Sequence, residues 1–164
     1  MNLQVDVQCV CTEPVPEEED IRRAIDAALS HHYQNTVDSA EVSVRLVSEA
    51  EMSELNAAWR GQHKSTNVLS FPADLPAEVD HPLLGDIVVC AAVVTREARD
   101  QHKTDAAHWS HMLVHGSLHL LGYDHELDAE AEAMEAMETL ILEQLGYPCP
   151  YQSQQQLNTI RGLG

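Results

Sequence analysis

The chain has 164 residues, 44% of them apolar and 22% charged, enough to bury about 70% of the surface an unfolded chain exposes and to build one core. No apolar run approaches the roughly 18 to 20 residues of a membrane span, so a membrane protein is excluded. Nine basic against 27 acidic residues leave a net charge of −18. The mean surface field therefore repels nucleic acid and anionic lipid, and an anionic substrate has to be held by local positive charge.

The opening residues, Met1 to Val7, lack the basic start and apolar block of a secretory signal, which predicts a cytoplasmic chain with reduced thiols. Cys9, Cys11, Cys90 and Cys149 form no paired metal pattern and are expected as small core residues. Leu3, Val5, Val7, Cys9 and Cys11 alternate with mostly polar residues, predicting a strand with one buried face that Pro14 and Pro16 stop. From Glu17 to about His32 an acidic start precedes a stripe of Ile21, Ala24, Ile25, Ala28 and Leu29, the pattern of an amphipathic helix.

Val42, Val44 and Leu46 predict a second strand, and Ser48 with Glu51 has the spacing of a capping box for a helix starting at Glu49. That helix directs Met52, Leu55 and Trp59 inward and ends at Arg60-Gly61, where glycine accepts the left-handed conformation. Val68 to Phe71 and Gly85 to Cys90 read as third and fourth strands, joined by a proline-containing loop as a wide hairpin. Helices follow from Ala91 to about His102, from a cap at Thr104 or Asp105 to Leu121, and from Asp128 to about Leu145 with Met134, Met137 and Ile141 inward. The expected fold is α+β (mixed α/β): a four-stranded sheet with parallel strands one and two, packed with about five helices, and a metal site at the end of a central helix. Residues 1–152 are expected to form one domain, with a polar tail at 153–164.

The stretch His115-Gly116-Ser117-Leu118-His119-Leu120-Leu121-Gly122-Tyr123-Asp124-His125 carries the chemistry. His115 and His119 are four apart, so on a helix both rings stand on one face within reach of one ion. Gly122 can take positive φ and reverse the chain, returning His125 toward the same point. Three neutral imidazoles suit zinc and leave a fourth position open, the arrangement of a catalytic site; structural zinc is usually closed by four ligands. A dication there would supply the attraction for phosphate that the surface withholds, and would lower the pKa of its bound water. His108 and His111 lie on the same face, all four histidines falling within an arc of about 80° at about 100° per residue. His111 either hydrogen-bonds a metal-bound ring or is an ordinary histidine bonded to a neighbour.

His115 to His125 resembles the H-G-x-L-H-L-x-G-Y-D-H signature of the YbeY family, bacterial metal-dependent endoribonucleases of rRNA processing. Leu55-Asn56-x-x-Trp59-Arg60-Gly61, Thr66-Asn67-Val68-Leu69-Ser70-Phe71-Pro72 and Leu84-Gly85-Asp86-Ile87 resemble the family's other blocks in the same order, so the likeness spans roughly residues 40–150. The resemblance implies a single-strand-specific endoribonuclease that matures the 3′ end of 16S rRNA and takes part in quality control of 70S ribosomes. It implies one zinc ion held by His115, His119 and His125, and single-stranded RNA, rRNA and the ribosome or its proteins as partners. His115 and Arg60 are the candidate catalytic residues, since a planar guanidinium can grip two phosphate oxygens and neutralise charge as the bond breaks; an ordinary helix-end arginine is the plainer reading of Arg60.

Other polar residues near these blocks have two readings each. His63 and Lys64 line a substrate groove or are solvated loop charges. Thr66 and Ser70 bond phosphate or satisfy a strand. Asp86 orients a ligand imidazole or caps a strand. Asp124 and Glu126 carry protons or only shape the turn. A metzincin-like zinc peptidase is the chief rival, but it needs glutamate after the first histidine where this chain has Gly116. A non-catalytic ribosome-associated zinc protein is the second. With aromatics only 4% of the chain, a row of base-stacking platforms is not expected.

Overall fold

A computed structural model describes residues 2–34, 37–61, 66–73, 82–124 and 127–150, Arg60 by its backbone alone. The elements run β1 (Asn2–Cys9), α1 (Glu18–Tyr33), β2 (Ser39–Val47), α2 (Glu49–Arg60), β3 (Val68–Pro72), β4 (Leu83–Cys90), α3 (Ala91–Asp100), α4 (Asp105–Leu120) and α5 (Asp128–Gln144). The architecture is α+β, as expected. The sheet has the order β1-β2-β4-β3, with β1, β2 and β4 parallel and β3 antiparallel to β4. No helix among the described residues is long and apolar enough to cross a membrane.

Alternation along β2 and β4 sends Val42, Val44, Leu46, Ile87 and Val89 to one face, where Ile21, Ile25 and Leu29 of α1, Leu113 and Leu118 of α4, and Met134 and Ile141 of α5 close the main core. Each such side chain contributes about 1.5–3 kcal/mol by leaving water. The opposite face carries a smaller cluster of Val47, Met52, Leu69, Val88, Cys90 and Val93 under α2 and α3. Helix α4 is buried over most of its circumference, so His108, Ser110, His111 and Ser117 on it meet protein, not solvent.

Helix ends follow local chemistry. Ser48 accepts the amide of Glu51 at 3.3 Å, and Gly61 closes α2 at φ +67°. The Glu51 carboxylate turns to the Arg45 guanidinium at 2.8 and 3.1 Å. Thr104 caps α4 by accepting the amide of Ala107 at 3.1 Å.

Two expectations are corrected. Cys90 is buried, but Cys9 is exposed and Cys11 and Cys149 only half-buried, because burial along the outer strand β1 fades from Leu3 to Cys9. Trp59 is 69% exposed. It lies on the stripe of Met52, but at the last turn of α2 that stripe has passed the buried cluster beneath it, and the indole meets the half-buried ring of Phe71, edge-to-face at 5.7 Å.

Candidate active site

The site is built on the C-terminal half of α4. His115 and His119, one turn apart, bring their Nε2 atoms to 3.0 Å, with the rings edge-to-face at 4.5 Å between centres. Two nitrogens bound to one tetrahedral zinc at 2.0–2.1 Å lie about 3.3 Å from each other. The pair is therefore spaced to share one ion with a few tenths of an ångström of adjustment. His125, the third predicted ligand, lies outside the described residues, and among those residues no three His, Cys, Asp or Glu side chains gather to hold a metal.

Behind the pair stands Glu138 of α5, which sequence reasoning missed. Its side chain is 1% exposed; one carboxylate oxygen meets His115 Nδ1 and the other meets His111 Nε2 at 3.2 Å. Burial pushes its carboxyl up, but the hydrogen bonds to His111 and His115 outweigh that and bring it down to about 2, so it is an anion at neutral pH. Burial lowers His111, against the pull of Glu138. A neutral His111 and an ionised Glu138 satisfy both directions, with each imidazole donating an N–H to the carboxylate. His115 then carries its proton on Nδ1, which leaves the Nε2 lone pair facing His119. Glu138 was signalled as an acid three residues before Ile141 and four after Met134, on the inward face of its helix.

The pair opens into a cavity of about 690 Å³ whose wall includes Trp59, Thr66, Asn67, Ser70, Tyr123 and Asp124. Gly116 brings α4 close to the sheet: a Cβ there would stand 3.0 Å from Ile87 Cγ2 and 3.2 Å from Ser70 Oγ, so those side chains would have to give by a few tenths of an ångström. Ser70 donates to the Gly116 carbonyl at 2.8 Å, joining β3 to α4. After α4 the chain reverses at Gly122, φ +99°, and the Tyr123 hydroxyl is 2.9 Å from His32 Nδ1 of α1, which anchors the turn that leads toward His125.

The remaining candidates separate. Asp86 is exposed and lines a groove of about 980 Å³ with Asp6, Ser43 and Arg45 on the other face of the sheet. The carboxylate that meets His115 is Glu138. Thr66, Ser70 and Asp124 line the histidine cavity. The Arg60 side chain, His63, Lys64 and Glu126 lie outside the described residues, as does the tail at 153–164.

The family profile described as Endoribonuclease YbeY matches residues 8–146. The chain belongs to the YbeY family. It is 53% identical over 150 residues to the endoribonuclease YbeY of Pseudomonas fluorescens, covering 91% of this chain and 96% of that protein. Its identity to the endoribonuclease YbeY of Stutzerimonas stutzeri is also 53%, covering 91% of each. Among solved structures, the solution structure of TM1509 from Thermotoga maritima superposes with a TM-score of 0.55 at 26% identity, covering 94% of this chain and 92% of that one. The family match takes in the whole of α4 and the two histidines on its last turns.

Proposed function

We propose that this YbeY-family chain is a single-strand-specific endoribonuclease, zinc-dependent and cytoplasmic, that acts in 16S rRNA 3′-end maturation and 70S ribosome quality control. The observation that carries the chemistry is the 3.0 Å approach of the His115 and His119 Nε2 atoms, with Glu138 behind His115 and a cavity in front. The curated relatives' name supports RNA as the substrate class. His115 and His119, with His125 as the third ligand, would hold the ion. Zinc bound there supplies a Lewis acid for a phosphate oxygen and a water of lowered pKa.

The chain's own residues do the rest. Glu138 holds the proton of His115 on Nδ1 and keeps that ring turned toward the cavity. Arg60, at the end of α2, grips the phosphodiester and neutralises charge that grows as the bond breaks. Thr66, with Asp124, offers polar contacts along the wall. Gly116, pressed against Ile87, stands where zinc peptidases carry their proton-moving glutamate, so the site favours phosphodiester over peptide.

The test is cleavage of single-stranded RNA and of casein by metal-loaded protein, His119→Ala and Arg60→Ala. RNA cleavage is expected to fall at least a hundredfold in both variants. Unchanged cleavage in both overturns the reading, and cleavage of casein moves the chain to the peptidases.

A further inference from the structure

Among the described residues Trp59 is the large apolar side chain that the fold leaves most open, 69% exposed, whereas Trp109 is 3% exposed in the core. It stands in the wall of the histidine cavity and also in the wall of the groove on the other face of the sheet, so a strand entering from that edge passes the indole. We propose that Trp59 is the residue that selects unpaired RNA: a base with a free face stacks on its indole while the neighbouring phosphates run into the histidine cavity. This rests on the endoribonuclease reading above.

Three observations carry it. The indole is pre-positioned by the edge of Phe71 at 5.7 Å and an interplanar angle of 65°, so stacking costs little side-chain freedom. A chain of net charge −18 with nine basic residues gains little from phosphate neutralisation away from the site itself; stacking is neutral, tolerant of salt and available to every base. The second groove repels a phosphate backbone, since it presents Asp6 and Asp86 and its Arg45 is engaged by Glu51 at 2.8 and 3.1 Å and by Gln8 at 3.0 Å. The strand is thereby directed to the histidine side. A duplex has both faces of each internal base covered and offers the indole only its end pairs, so one platform suffices where no row exists.

Stopped-flow tryptophan fluorescence on mixing metal-loaded full-length protein with a 12-nucleotide single strand, or with the same strand annealed to its complement, reads the contact directly. Quenching is expected with the single strand only, and Trp59→Leu is expected to abolish it. In steady-state cleavage, Trp59→Leu should raise KM about tenfold with kcat held, and Trp59→Phe should restore KM to within about threefold, a split that a folding defect would not produce. A Trp59→Leu enzyme with unchanged KM overturns the inference and leaves the ribonuclease reading standing. Wild-type protein that cleaves no RNA overturns both.

Discussion

Two glutamates meet the histidines of α4, and they use the same bond differently. Glu97 of α3 lies 3.0 Å from His108 Nε2, accepts the Asn67 amide at 3.2 Å and keeps a side chain 31% exposed. Glu138 of α5 is 1% exposed and holds His111 and His115. Burial pushes both carboxyls up and the hydrogen bonds prevail, bringing Glu97 below its usual range and Glu138 to about 2. The Glu97 contact ties the entry to β3 to α3 and α4. The Glu138 contact ends on a ring whose other nitrogen faces a cavity. One carboxylate braces the fold and the other aims a side chain, and what separates them is the far end of the histidine each one holds.

Removing the carboxylates is the way to break that comparison. Glu138→Ala removes the carboxylate that the buried His111 and the half-buried His115 share, so urea denaturation should show a loss of about 3 kcal/mol. Glu138→Gln keeps the volume and should lose about 1–2 kcal/mol, while zinc affinity by chelator competition falls about tenfold or more. The pH profile has a defined sign. A carboxyl held below 4.5 stabilises the fold while ionised, so the Glu138 contribution is complete above about pH 4.5 and fades as pH falls toward about 2. Glu138→Gln should flatten stability over that interval. Glu97→Gln sharpens the contrast: a loss of about 1 kcal/mol is expected, with zinc affinity within about twofold of wild type. If it weakens zinc as much as Glu138→Gln does, both carboxylates serve the site. The smallest effect belongs to the exposed face: Arg45→Met, which opens the bidentate pair with Glu51, should leave the urea midpoint almost unchanged, because water screens the pair.

Much of this was legible along the chain because the signals are local. Ser48 and Gly61 bound α2 through its own turns, alternation in β1 and β2 shows in consecutive residues, and the four-residue step from His115 to His119 is a property of one helix. The miss at Trp59 has a tertiary cause: helical spacing gives the direction of a stripe, not the length of the surface beneath it. Cys9 failed for the same reason, at the end of an outer strand. Glu138 was readable as an acid on an inward face, but its partners, His111 and His115, are 27 and 23 residues away, a distance that no periodicity spans.

What the amino-acid order determined by itself is therefore the set of elements, the pairing of two imidazoles on one turn and the reversal at Gly122, since each depends on backbone preferences within a few residues. Only the folded chain decided which carboxylate stands behind His115, why a side chain at Gly116 would press on Ile87 and Ser70 and which of two tryptophans meets solvent. Those outcomes depend on how α5 and the sheet pack against α4 and on how the end of α2 meets β3, and packing is a matter of shape and burial between segments far apart in sequence.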